Sequence, residues 1–210
     1  MDLVCEKLHQ MFNTMEKNHF PFDKKSIPRN GIYILFESTE TSHGTDRIVR
    51  IGTHTGEGKL CSRLQEHFIK ENKDRSIFRK NVGRALLNKN DDDFIYHWNL
   101  DLTTRSNKMK FGKQVDLEKQ KQVEKEVSEI IQDRFRFIVI PIDDKNERLS
   151  LERKLISTVS NCDICGPSKY WLGSYSPIVK IKDIGLWQVQ GLNKQGLTLE
   201  EFHTVEKILC

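Results

Sequence analysis

Apolar positions along this 210-residue chain recur with two periods, and the switches between them divide it into elements. Leu3, Leu8, Met11, Phe12 and Met15 fall at helical spacing and predict a leading amphipathic helix over the first twenty residues. Pro21 and Pro28 bracket an extended connector. Gly31 to Glu37 and Arg47 to Gly52 read as strands, with a polar turn over Ser38 to Gly44. Leu60, Leu64 and Phe68 step by four and predict a helix. Ser76 has the character of an N-cap for a second helix carrying Ile77, Phe78, Val82, Ala85 and Leu86. Phe94 to Trp98 reads as a strand, and 99–114 as a polar loop.

Further along, Asp116 to Gln132 is rich in Glu, Lys and Gln, with Val123, Val127, Ile130 and Ile131 as one apolar stripe. That pattern predicts a solvated amphipathic helix. Phe135 to Ile140 is the plainest strand. Asp144 and Glu147 suit a capping box before a helix bearing Leu151, Leu155, Ile156 and Val159. Residues 161–192 are irregular, with room for one short strand. Thr198 caps a final helix.

Composition narrows the class. The chain is 30% charged and 37% hydrophobic, which suits a folded domain and not a disordered one. The net charge of +4 permits an anionic partner without requiring one. No apolar run reaches membrane-spanning length, and the first residues lack the basic start and apolar core of a signal peptide. The expected location is cytoplasmic, with no membrane partner. Five cysteines, an odd number, argue against a disulfide framework. Cys162 and Cys165 have zinc-ligand spacing, but no second pair lies at a matching distance.

Candidate chemistry comes from order and spacing. Tyr33 alone is an ordinary strand residue, and Gly31 and Gly52 alone are ordinary strand ends. Arg63 and His67 are i and i+4 on one helix, one residue out of step with the apolar stripe. They therefore border the core. Glu152 follows the 135–140 strand on the next helix, and a carboxylate there suits Mg²⁺. Glu147 competes for that role. Arg79, Lys80 and Arg84 put three cations on one helical segment, as phosphate contacts need, though a solvated face has the same pattern. Tyr170 to Tyr175 suits either base stacking or a core-closing loop.

Taken in order, Gly31-Ile32-Tyr33, Arg50-Ile51-Gly52, the Leu60-x-x-Arg63-Leu64-x-x-His67 helix and Glu152 resemble the GIY-YIG nuclease family. Arg50 stands where the second motif's tyrosine belongs. The resemblance covers about 29–90 and 135–160. It implies an α/β (α+β) fold: a small antiparallel or mixed three-stranded sheet flanked by helices. The expected organisation is an N-terminal extension over 1–28 and a nuclease domain over 29–160 with an insertion at 99–132. A C-terminal extension over 161–210 would pack on the same domain.

The resemblance also implies an endonuclease that hydrolyses DNA phosphodiesters with Mg²⁺, or with Mn²⁺ in its place. Glu152 would hold the metal, Arg63 would meet the phosphate, Tyr33 would serve the attacking water, and His67 would orient Tyr33. Arg50 and His54 join Arg79, Lys80 and Arg84 as expected substrate-binding residues. A restriction-type enzyme would have a cognate DNA methyltransferase and could act as a homodimer. A binding module that does not cut, a structure-specific repair nuclease and an RNA substrate remain open at this point. The family's late asparagine has two weak counterparts, Asn161 and Ser168.

Overall fold

The computed structural model describes residues 2–209. Four strands form one antiparallel sheet in the order β1-β4-β2-β3, where β1 is Asn18–His19, β2 Gly31–Ser42, β3 Thr45–Gly52 and β4 Phe135–Pro141. The two-residue β1 is the strand that periodicity did not reveal; it is too short to carry an alternation. β2 is central, and its alternation feeds two cores. Tyr33 and Leu35 enter one, while Ile32, Ile34 and Phe36 enter the other.

On the Tyr33 face pack α2 (Leu60–Phe68), α3 (Ile77–Lys89) and α6 (Leu117–Arg134), through Leu64, Phe68, Phe78, Val82, Val123 and Val127. On the other face pack α1 (Asp2–Thr14), α7 (Lys145–Ser160) and α9 (Leu199–Leu209), through Leu8, Phe12, Leu155, Val159 and Phe202. The caps read from sequence are in place. Ser76 accepts the Arg79 N–H, Asp144 the Glu147 N–H, and Thr198 the Glu201 N–H, with Glu201 reaching back to the Thr198 N–H.

Three expectations change. Phe94 to Trp98 is not a strand; α4 (Ile95–Asn99) is a single turn of helix there. Trp98 is fully buried beside Gly83, where any Cβ would overlap its indole, and its Nε1–H donates to the Lys80 carbonyl at 3.0 Å. Packing against α3 therefore overrides the strand propensity of an aromatic run. The loop at 99–114 contains α5 (Arg105–Phe111), capped by Thr104. Residues 161–192 contain a 3₁₀ turn (Leu172–Tyr175) and α8 (Val179–Ile184), with no strand among the described residues. The β2–β3 connection is also tighter than expected. Thr39 to Ser42 belong to β2, and only His43 and Gly44 turn, both at positive φ (52° and 73°), as a primed hairpin turn requires.

The stretch after α7 is held to the sheet by buried and part-buried polar contacts. Glu40 and Arg47 face each other at 2.6 Å across the hairpin; Arg47 also donates to the Gly185 carbonyl, and Ser168 donates to Glu40 through both N and Oγ. On the same strand, Glu37 Oε2 accepts the indole N–H of Trp171 at 2.9 Å and of Trp187 at 3.1 Å. Removing one member of a buried pair strands the other charge. Arg47→Ala is therefore expected to cost about 3–5 kcal/mol in denaturant unfolding.

Candidate active site

The site begins with a pairing across the hairpin. Tyr33 sits opposite Gly52, and its ring lies over the glycine, so that a side chain at 52 would overlap the hydroxyl. That is the physical reason for glycine at this strand end. Two residues earlier on β3 the ladder slips. Leu35 pairs with Arg50 but Phe36 pairs with Ile48, leaving Val49 as an extra residue. Such a bulge re-aims the neighbouring side chain. Val49 thereby joins the Tyr33-side core, and Arg50, paired with Leu35, lies on the same face in regular register, its Nε–H 3.4 Å from the phenol oxygen. Its guanidinium also donates to the Trp187 carbonyl and lies 5.5 Å over the Phe78 ring.

From the phenol the chain of contacts runs inward. The Tyr33 hydroxyl is 2.8 Å from His67 Nε2, and His67 Nδ1 is 2.7 Å from Ser76 Oγ. His67 is fully buried, deeper than the core border suggested by its spacing. Burial, reinforced by the charges of Arg63, Arg50 and Arg79, holds its pKa well below the usual imidazole range. His67 is thus neutral at pH 7, with one ring nitrogen free to accept. With Nδ1–H directed at Ser76, Nε2 is placed to take the Tyr33 proton.

Arg63 stands at the rim, its side chain 24% exposed, donating to Glu66 at 3.1 Å and to the Arg75 carbonyl at 2.9 Å. It lines an open cleft of about 520 Å³ with Thr53, His54, Lys59 and Ser62. Glu152 lies in the second turn of α7 and opens on a neighbouring cavity of about 250 Å³ with Arg50, Asn81, Gln188 and Gln190. Burial raises the Glu152 pKa above the ordinary carboxylate value, against the pull of Arg50, the Thr53 N–H, Arg153 and Arg63. None of the ion pairs among the described residues includes it.

A family model described as a GIY-YIG domain matches residues 4–205, nearly the whole chain. The chain belongs to the GIY-YIG family. Membership indicates a nuclease of that superfamily, its activity known at the level of the family, and nucleases of this kind imply a DNA substrate. No curated protein and no solved structure matches the chain.

Within the GIY-YIG frame, the other expected residues are placed unevenly. His54 is buried and committed at both ring nitrogens: Nδ1–H donates to the Gly56 carbonyl at 2.6 Å, and Nε2 accepts the Gly31 N–H at 3.3 Å. It shapes the loop below the cleft. Arg79 is in the interior. Its guanidinium is held by Glu124 at 2.7 Å, by Ser128 and by the His67 carbonyl, so its charge is not offered to solvent. Lys80 pairs with Asp74 at 3.0 Å, and Arg84 donates to Asn81 and Asn99. Arg79 and Lys80 are therefore paired with acids from other elements and Arg84 is held by side-chain amides, none of which a count of charge along the helix reveals.

Neither counterpart of the late asparagine reaches the site. Asn161 bonds the Lys194 carbonyl, and Ser168 holds Glu40. The side-chain amides sharing the Glu152 cavity include those of Asn81 and Gln188. Nothing local marks either one. Asn81 sits in a helix of ordinary pattern, and Gln188 lies in an irregular stretch.

The buried imidazole has a consequence for stability. Unfolded, His67 takes up a proton near pH 6.5; folded, it resists until a lower pH. Between those values the unfolded chain binds more protons, so stability is full above about pH 6.5 and falls as the pH drops through that window. Denaturant titrations at stepped pH are expected to show His67→Asn losing less stability than the wild type over this range. The difference in slope should be at most about 1.4 kcal/mol per pH unit.

Proposed function

We propose that the chain is a Mg²⁺-dependent DNA endonuclease, restriction-like in its small size, with Mn²⁺ able to replace Mg²⁺. The observation that carries the reading is the contact chain Arg50–Tyr33–His67–Ser76, whose Arg50 end shares a cavity with a partly buried Glu152 that has no ion-pair partner. The residue that fits a hard divalent cation is Glu152, a carboxylate with no ion-pair partner on a cavity of about 250 Å³ with room for water and a phosphate oxygen. Bound there, Mg²⁺ would offset negative charge on the scissile phosphate and its leaving oxygen.

The chain's own groups do the rest. Arg63, partly exposed beside the open cleft, would donate to the non-bridging oxygens with a planar fork that lysine lacks. Tyr33 would orient the attacking water and pass its own proton to His67 Nε2. Arg50, always charged, cannot act as a base; it would hold the phenol and face the phosphate. Tyr33 would then be the only phenol in the mechanism. Lys80, Arg84 and His54 would act at the margin of the substrate through the groups they position.

One observation favours a second reading, a module that binds DNA without cutting it: Tyr33 is only 1% exposed. Plasmid and short DNA duplexes, with RNA duplexes in parallel, incubated with and without Mg²⁺ separate the two. Metal-dependent cutting by the wild type, reduced at least about 100-fold in Glu152→Ala and in Tyr33→Phe, supports the enzyme. Salt-sensitive binding with no cutting by any of the proteins supports the module. A cytoplasmic restriction role further expects a DNA methyltransferase encoded alongside, and a homodimer at a palindromic site. The same reading keeps 29–160 as the nuclease unit, with 99–132 inserted and both ends packed on it.

A further inference from the structure

The sheet face opposite Tyr33 carries a second cluster of metal-ligating side chains. Cys5 and His9 are one turn apart on α1, His43 is at the hairpin turn, and Cys165 follows α7. One ligand atom from each lies within 4.8 Å of the other three. Cys5 Sγ is 3.3 Å from Cys165 Sγ, which is 3.3 Å from His43 Nε2 and 3.7 Å from His9 Nε2. A tetrahedral centre with metal–sulfur bonds of about 2.3 Å and metal–nitrogen bonds of about 2.0–2.1 Å has edges of roughly 3.4–3.8 Å. The cluster thus already has nearly the dimensions of a coordination shell.

We infer that Cys5, His9, His43 and Cys165 form a structural zinc site. Thiolate and imidazole donors select zinc over magnesium or calcium. Two thiolates and two neutral imidazoles around a divalent cation sum to zero charge, which a buried site requires. His9 Nδ1 is 2.9 Å from the Cys5 carbonyl, the outer contact that orients a ligating imidazole and leaves Nε2 for the metal. The Ile48 N–H, 3.2 Å from Nε2, is the group the metal would displace. His43 reaches the cluster from a backbone conformation (φ 52°) that non-glycine residues seldom adopt. Four protein ligands leave no open position, so the site would join α1, the hairpin and the C-terminal segment without performing chemistry.

The test uses the full-length chain, purified with zinc present and dialysed free of loose metal. Elemental analysis is expected to find one zinc per chain, lost in Cys5→Ser and Cys165→Ser. Since these variants can fail to fold, two measurements on the wild type stand beside them. Cobalt exchanged into the site is expected to give the intense visible bands of tetrahedral Co²⁺ with sulfur-to-metal charge transfer. Chelation is expected to lower the thermal midpoint, and zinc to restore it. Cys162→Ser is expected to keep the metal, although Cys162 Sγ is 3.4 Å from His43 Nε2. Loss of zinc in Cys162→Ser with retention in His9→Gln would overturn this ligand set. A chain that takes up neither zinc nor cobalt, or one joined by a Cys5–Cys165 disulfide, overturns the site itself. None of these readouts depends on nuclease activity.

Discussion

Arg50 is the contact on which the site's architecture depends. Pairing with Leu35 sets its guanidinium on the Tyr33 face, where it meets the phenol, the Phe78 ring and the Trp187 carbonyl together. The charge is nearly out of water, so it persists only because each side of the planar group has a polar or π partner. In the family pattern this position holds a tyrosine. Here a permanent cation takes its place, and the C-terminal segment supplies the carbonyl that satisfies it. The substitution and the segment therefore belong to one arrangement: without Trp187 the guanidinium would lose a buried acceptor.

The same segment solves a second problem. β3 lies at the edge of the sheet, where unpaired backbone groups invite aggregation. The Trp187 N–H bonds the Val49 carbonyl at 2.8 Å, and the Gln188 side chain accepts the Ile51 N–H at 2.9 Å. These two contacts cover the edge and bring Gln188 to the cavity shared by Arg50 and Glu152. Edge protection and site construction are therefore the work of the same few residues. The two indoles on Glu37 fix the height at which the segment crosses the strand.

Charge is distributed by the same logic on the Tyr33 side. Arg79 is neutralised by Glu124 of α6, which links α3 to the charged helix that follows the 99–114 stretch. That pairing leaves Ser76, at the head of α3, bonded to His67 while the charge of Arg79 stays in the interior. Arg63 alone among the motif cations keeps access to the open cleft. The neutrality of His67 follows from this crowd of three arginines together with burial.

Much of this was legible along the chain. The strand alternation of 31–37 and 135–140 and the caps at Ser76, Asp144 and Thr198 all rest on local chemistry, which spacing reports directly. What spacing cannot report is partnership between distant segments. The Phe94 to Trp98 run became a helix because a glycine on α3 makes room for Trp98. Cys162 and Cys165 looked isolated because the residues that meet Cys165 come from the first helix and a hairpin turn more than a hundred residues away. By itself the sequence determined the family, the sheet's central strands and the helix caps, since these follow from residue type and local period. Only the tertiary structure decided which cations are free, which amides face Glu152 and how Arg50 is held. Burial and pairing are set by whatever the fold packs against each group.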